Sequence, residues 1–218
     1  MATRLGEISK SDFSRRLESS DCEPGSRAQL ESLHAHYEEL RRWAGRVALV
    51  GAGEAATIVE RHYAESLRAL PLLEGASRVL DLGSGAGFPG CILAAARPDL
   101  EFWLFESRGR KASFLRAASA RAKLSCHVVD VRVSRQHPVT EVIPGATIDL
   151  VTVRGVKIDR DTWAGLAPGL MVGARILRWE GVAEVDPWPE AKAGRTLALG
   201  GGGRRIQEWL YSAAETRS

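Results

Sequence analysis

The stretch RVLDLGSGAGFPG, Arg78 to Gly90, concentrates the residue types that can handle a small charged ligand. Val79 and Leu80 lead into Asp81, glycines follow at 83, 85 and 87 with Ser84 and Phe88 among them, and hydrophobic residues resume at Cys91. The pattern predicts a strand, a tight loop and the start of a helix. Glycine is needed in such a loop because the turn demands positive φ and the backbone must come close to a ligand, and a Cβ obstructs both. A second acid, Glu106, closes the apolar run Phe102–Phe105 and is followed by Ser107; a carboxylate there can accept both hydroxyls of a ribose. Arg154 ends a third apolar run, where its planar fork can hold a phosphate or a guanine O6; the competing reading is an ion pair with Asp81 or Glu106. The five histidines and three cysteines suggest no Ser-His-Asp or Cys-His nucleophile arrangement.

Two classes of cofactor compete for the loop. Gly85 to Gly90 matches G-x-G-x-x-G literally, which taken alone suggests NAD or FAD. Against a dinucleotide, Asp81 stands two residues before the first glycine, where a carboxylate repels a pyrophosphate but suits the amino group of a methionine moiety. Pro89 also removes a backbone N–H near a helix N-terminus whose donors a pyrophosphate would use. An acid, then G-x-G-x-G, then an acid ending the next strand favours S-adenosylmethionine.

The elements that must position these residues follow from periodicity. Residues 1 to about 25 are polar, with Pro24-Gly25 as punctuation, and read as a loosely ordered arm. From Arg27 the spacing of Leu30, Leu33, Tyr37, Leu40 and Ala44 predicts an amphipathic helix ending near Gly45, and a second helix is expected from about Glu54 to Leu70 with His62 on its inner face. From Ser77 short apolar runs alternate with helical segments. Strands are expected at Arg78–Leu82, Glu101–Glu106, Cys126–Val131, Asp149–Val153 and Ala174–Trp179, with helices at about Pro89–Arg97, Gly109–Lys123 and Asp159–Leu166. Residues Arg195–Leu199 and Ile206–Tyr211, on either side of Gly200–Gly203, suit a closing antiparallel hairpin. The alternation implies an α/β, Rossmann-like fold: a mostly parallel sheet with helices on both faces and an N-terminal helical extension, divided into a flank at 1–75 and a main domain at 76–218. In such sheets ligands sit beyond the carboxyl ends of the strands. Asp81, Glu106, residues 130–133 and Arg154 all fall there.

Composition sets the outer bounds. At 218 residues, 44% hydrophobic and 26% charged, the chain suits one well-buried core with a small extension. No run approaches the roughly 20 apolar residues of a membrane span and the first residues lack the apolar core of a signal peptide, so a cytoplasmic location is expected. Cys22, Cys91 and Cys126 are far apart, without metal-ligand spacing, and read as free thiols. The net charge of +3 tolerates a nucleic-acid partner without demanding one. Basic residues cluster at Arg41, Arg42 and Arg46 and again from Arg108 to Lys123, which is either a solvated helix face or a nucleic-acid surface.

The stretch from Val79 to Leu124 resembles the GidB family of bacterial methyltransferases, which modify guanine N7 in 16S ribosomal RNA. The family pattern is D-x-G-[ST]-G-x-G-x-P-G, then A-x-x-x-P, then an acid and a basic K-x-x-F-L helix. Here these are Asp81–Gly90, Ala94–Pro98, Glu106 and Lys111–Leu115. Arg61-His62-Tyr63-Ala64-Glu65-Ser66 is similar to the family's R-H-x-x-D-S segment with glutamate for aspartate, and Val153-Arg154-Gly155 to its S-R-A element. The resemblance implies a class I S-adenosylmethionine-dependent methyltransferase, a monomer without metal, acting on 16S rRNA or the assembling small ribosomal subunit. It implies cofactor binding by Asp81, Gly83, Ser84, Gly85, Gly87, Phe88, Glu106, Ser107, Arg132 and Val133, the last two enclosing adenine unless they form a simple turn. It implies Arg154 as the catalytic group beyond the cofactor, and substrate contacts from His62, Arg154, Arg108 and Lys111, with Arg41 and Arg42 on an opposite wall. His62 reads equally as a packed helix residue, and Phe88 and Trp103 as core. The chain departs from the family after Trp43, where N-L-T is absent, at Arg178–Gly181, and at Arg204–Trp209. Those departures keep open a divergent paralogue acting on another RNA or a small molecule, and a non-catalytic RNA-binding module.

Overall fold

The computed structural model describes residues 3–51, 53–145, 147–181, 188, 190–200 and 202–212. Seven strands form one sheet: β1 (Arg78–Leu82), β2 (Glu101–Phe105), β3 (Cys126–Val129), β4 (Ile148–Arg154), β5 (Leu170–Glu180), β6 (Ala191–Ala198) and β7 (Arg205–Tyr211). Their order is β3-β2-β1-β4-β5-β7-β6. The first five strands are parallel, and β7 pairs antiparallel with both β5 and β6. The expected hairpin is therefore present, with β7 inserted between β5 and β6 so that β6 is the edge. Gly201 of its turn lies outside the described residues. Near-continuous burial along β1 and β4 is what a strand covered on both faces requires. Strand order reverses at β1, between β2 on one side and β4 on the other, so the crevice at that reversal opens above the glycine loop.

Helices α4 (Gly90–Ala96), α5 (Gly109–Arg121) and α6 (Arg160–Leu166) supply the crossovers. The N-terminal segment departs from expectation twice. Residues 10–18 form a helix, α1 (Lys10–Glu18), capped by Ser9, whose hydroxyl accepts from Asp12 N at 3.1 Å. It is no loose arm, because Phe13 and Leu17, one turn apart, are fully buried and Phe13 meets the Tyr63 ring edge-on at 4.9 Å. After α2 (Arg27–Ala44), the expected second helix is broken into a 3₁₀ turn at Ala55–Thr57, a π-helical turn at Val59–Ala64, a single α turn, α3 (Glu65–Leu67), and a further 3₁₀ turn at Leu70–Leu73. The wider π turn directs His62, Tyr63 and Glu65 inward together, and all three are buried. Tyr63, Leu33, Tyr37 and Leu40 share one hydrophobic cluster with Phe88, Cys91 and Leu104, so the flank packs against the helical layer beside the glycine loop.

Gly90 fixes where that loop meets α4. Its N–H donates to Asp81 Oδ2 at 3.3 Å, and a Cβ there would come within 2.5 Å of both Asp81 Oδ2 and Leu104 Cδ2. Gly90→Ala is expected to destabilise by about 1–3 kcal/mol, the usual cost of overfilling a packed core. It should also loosen the loop, which urea unfolding and ligand titration of the same variant would register.

Candidate functional site

A cavity of about 540 Å³ lies beyond the carboxyl ends of β1, β2 and β4. The loop after β1 forms its floor through Gly83, Ser84, Gly85 and Phe88, and the turn into α5 contributes Glu106, Ser107, Arg108 and Lys111. Arg154 and Lys157 enter from the end of β4, and His62, Glu54 and Leu49 close the flank side. A smaller recess of about 180 Å³ adjoins it, lined by Leu82, Phe105, Arg132 and Val133, and shares Gly83, Ser107 and Lys157 with the main space. Ten of the residues expected at the site thus line one cavity, and Arg132 and Val133 line its neighbour.

Two expected ligands of the cofactor stand behind the wall. Asp81 is almost fully buried beneath the loop, where Oδ1 accepts from Thr152 Oγ1 at 2.6 Å and Oδ2 from Gly90 N. Burial raises its pKa to about 6, against the lowering effect of those hydrogen bonds. Its observed contacts brace the loop from below. Gly87, at φ +81°, faces the core, where a Cβ would strike Cys91 Sγ at 2.7 Å and His36 Nε2 at 2.8 Å. Gly83, at φ +72°, is held against Val156 so closely that no Cβ fits.

Glu106 ties the site together. Its Oε2 accepts from Gly85 N at 3.0 Å and its Oε1 from Arg108 N at 2.8 Å, so one carboxylate fixes the loop after β1 and the turn after β2. Each oxygen keeps a second lone pair for a ligand hydroxyl. Arg154 pairs with Glu65 at 2.9 Å, not with Asp81 or Glu106, and also donates to the Arg61 carbonyl at 2.7 Å. The π turn brings Glu65 within reach of β4, a juxtaposition that local pattern in the sequence does not encode. Arg154 Nη1 is buried without a hydrogen-bond partner among the described residues, and burial lowers the guanidinium's pKa.

His62 lies against Phe88, ring centroids 4.8 Å apart at 31°, and neither ring nitrogen makes a hydrogen bond among the described residues. Burial, reinforced by the charge of Arg154, lowers its pKa to about 4, so the ring is neutral at neutral pH. Glu54 also lines the cavity, although in the sequence it marks only the start of an expected helix, where an acid is ordinary. Arg41 and Arg42 pair with Glu38 and Glu39 at 3.0 and 3.5 Å and do not line the cavity, so the opposite wall is built by Leu49, Glu54 and His62 instead. Among the described residues no three His, Cys, Asp or Glu side chains are grouped to hold a metal, and no helix is long and apolar enough to cross a membrane. All three cysteines are free thiols.

The family model described as rRNA small subunit methyltransferase G, GidB, matches residues 29–194. The chain belongs to the GidB family. A ribosomal RNA small subunit methyltransferase G from Desulfotalea psychrophila is 41% identical over 129 residues, 58% of this chain and 58% of that relative, so the chain spans little more than half of that relative's length. The enzyme of the same name from Rhodospirillum rubrum is 34% identical over 177 residues, 81% of this chain and 84% of that one. Among solved structures, a SAM-dependent methyltransferase from Aquifex aeolicus superposes with a TM-score of 0.54 over 71% of this chain and 92% of that one at 13% identity, a likeness of fold. The fold is that of class I methyltransferases. In this GidB-family chain the match ends inside β6, so β7 and the preceding Arg204 lie beyond it. Arg204 Nη1 nevertheless reaches Glu65 Oε1 at 3.1 Å, which connects the divergent end of the chain to the carboxylate that holds Arg154.

Proposed function

We propose that this chain is an S-adenosylmethionine-dependent methyltransferase that transfers a methyl group to N7 of a guanine in 16S rRNA, acting as a cytoplasmic monomer on the RNA or on the assembling small subunit. The observation that carries the reading is Glu106, clamped to Gly85 and Arg108 at the cavity floor, in a chain whose relatives bear the name of an rRNA methyltransferase. The residues present fit the cofactor. Glu106 offers lone pairs for two ribose hydroxyls, and the recess beside Leu82, Phe105, Arg132 and Val133 suits a flat base. Gly83 and Gly85 present backbone without a Cβ to the cavity, and the cavity volume lies within the roughly 300–1,000 Å³ usual for such ligands. A dinucleotide fits less well. The N–H groups opening α4 are already bonded, Gly90 to Asp81, Cys91 to the Gly87 carbonyl and Ile92 to the Pro89 carbonyl, and all three residues are buried. No donors remain there for a pyrophosphate.

S-adenosylmethionine supplies a methyl group on a positively charged sulfur. Guanine N7 carries a lone pair and no proton, so the chain needs no general base, in keeping with a His62 whose pKa of about 4 makes it a weak one. What the residues supply is position, which can account for much of such a reaction's acceleration. Arg154, held by Glu65 and with Nη1 unpaired, is placed to grip the acceptor through its O6 or a phosphate. Arg108, Lys111 and Lys157 line the same cavity and give it a cationic rim for the RNA backbone.

Arg154→Ala is expected to bind S-adenosylhomocysteine within a few-fold of wild type while methyl transfer falls about 100-fold, the scale of one charge-assisted contact made at the reacting base. Calorimetry and a radiolabelled-methyl assay on small-subunit RNA would separate the two. For the whole reading, deletion of the gene should remove an N7-methylguanosine signature from 16S rRNA. An unchanged signature would exclude the ribosomal substrate.

A further inference from the structure

Every purine has an N7, so a guanine-N7 methyltransferase must reject adenine by some other edge of the base. We infer that Glu54 is the residue that does so, accepting hydrogen bonds from the N1–H and N2 amino group of the acceptor guanine; this rests on the function proposed above.

Two carboxylates line the cavity, and they are not equivalent. Both oxygens of Glu106 are engaged by backbone N–H groups on the cofactor side. Glu54 stands on the flank side, where Oε2 accepts from Gly51 N at 2.9 Å and Oε1 makes no hydrogen bond among the described residues. Beside it is His62, 8% exposed, with neither ring nitrogen hydrogen-bonded among the described residues and its Nε2 3.4 Å from Glu54 Oε2. A buried imidazole without a hydrogen bond among the described residues, next to a carboxylate whose Oε1 makes none there either, is unfinished polar structure that a ligand would complete. The charge on Glu54 persists: burial disfavours it, but the Gly51 N–H and the nearby cations Arg61 and Arg154 favour it, and its pKa lies below the ordinary carboxylate value.

The chemistry of the acceptor matches that position. When N7 faces the methyl donor, the N1 and N2 positions face away from it, toward the far wall. In guanine these are two donors side by side, which a carboxylate accepts together. In adenine the corresponding atoms are an N1 lone pair and a C–H, so the same carboxylate meets repulsion and an unsatisfied oxygen. During transfer the N7 lone pair forms the new N–C bond as the C–S bond breaks onto sulfur, no proton moves, and the positive charge passes to the purine. N1–H and the amino group then become stronger donors, so their bonds to Glu54 tighten in the transition state and act on kcat more than on KM. The neutral His62, packed at a tilt against Phe88, supplies a wall for the base that leaves the Glu54 charge uncancelled.

The test uses reconstituted small subunits whose 16S RNA carries guanosine or inosine at the mapped methylation position; inosine keeps N7, O6 and N1–H and lacks the amino group. Wild type should methylate guanosine about 10-fold to 100-fold faster than inosine, the range for one hydrogen bond to a charged acceptor. Glu54→Ala should bring the two rates within about threefold of each other by lowering the guanosine rate, and Glu54→Gln, which keeps the side chain's shape, should do the same while S-adenosylhomocysteine binding is retained. Variants that lower both rates equally and keep the wild-type ratio would overturn the assignment, as would a wild type indifferent to the amino group. A wild type that methylates neither RNA would overturn the methyltransferase reading itself.

Discussion

Lowering the pH from 7 to 4 is expected to cost the fold about 4 kcal/mol through three buried groups, His36, His62 and Asp81. Burial is the leading cause at each. It lowers both histidines to about 4 from an ordinary 6.5 and raises Asp81 to about 6 from 3.8. For the histidines the unfolded chain binds protons that the folded chain refuses, so stability falls as pH drops through 6.5 and the loss is complete near 4. At 1.36 kcal/mol per pH unit this is about 3 kcal/mol for each, or about 7 together. Asp81 runs the other way. The folded chain holds its proton up to about 6 while the unfolded chain releases it near 3.8, so acidification recovers about 3 kcal/mol over that interval. The net loss falls between pH 6.5 and 4, and set against the 5–15 kcal/mol of typical domain stability it is a large fraction. Urea unfolding at pH 7, 5.5 and 4 measures it. His36→Asn is expected to flatten the curve by about 3 kcal/mol, because an amide can still meet the Tyr63 hydroxyl, 2.8 Å from His36 Nδ1, and does not titrate. A stability that is level from pH 7 to 4 in wild type would mean that these histidines are already protonated or solvated.

The residues that can be read in the sequence and those that cannot differ in the range of the forces that place them. The loop at 83–90 is legible because local requirements dictate its glycines: positive φ at 83, 85 and 87, and close approach of Gly83 to Val156 and of Gly90 to Asp81 and Leu104. Strand β1 and the crossovers that follow are legible from alternation of apolar runs with helical segments. The α1 helix left a signal, Ser9 ahead of a Phe13/Leu17 pair, that the polar character of its surroundings masks. The π turn at Val59–Ala64 left none, since its apolar spacing also satisfies an ordinary helix and only packing of Tyr63 and His62 against Phe88 selects the wider turn. The partner of Arg154 could not be found for the same reason. It is 89 residues away, and which of several acids meets it depends on how the flank sits on the sheet.

That partner carries the second large expectation. Glu65 is 5% exposed and is the carboxylate around which Arg154, Arg204 and Arg61 gather, at 2.9, 3.1 and 3.7 Å. Glu65→Gln would leave three guanidiniums facing one another across a neutral amide. Removing one partner of a buried ion pair generally costs 3–5 kcal/mol, and since Arg61 and Arg204 keep part of their solvation the lower end, about 3 kcal/mol, is expected here. The loss should appear as a lowered urea midpoint with an unchanged slope. It should also carry a functional component that a purely structural ion pair would not. Arg154, freed from Glu65 but still donating to the Arg61 carbonyl, should lose its fixed approach to the cavity, so methyl transfer should fall further than S-adenosylhomocysteine binding. Glu65→Asp restores the residue of the family pattern and keeps the charge while withdrawing it by one methylene. It is expected to recover most of the stability, because a carboxylate near three cations is favoured even at longer range, and less of the transfer rate, because the 2.9 Å contact that aims Arg154 cannot be kept without moving the π turn. Equal recovery of both would assign Glu65 to the fold alone, whereas stability recovered ahead of rate would place it in the positioning of Arg154.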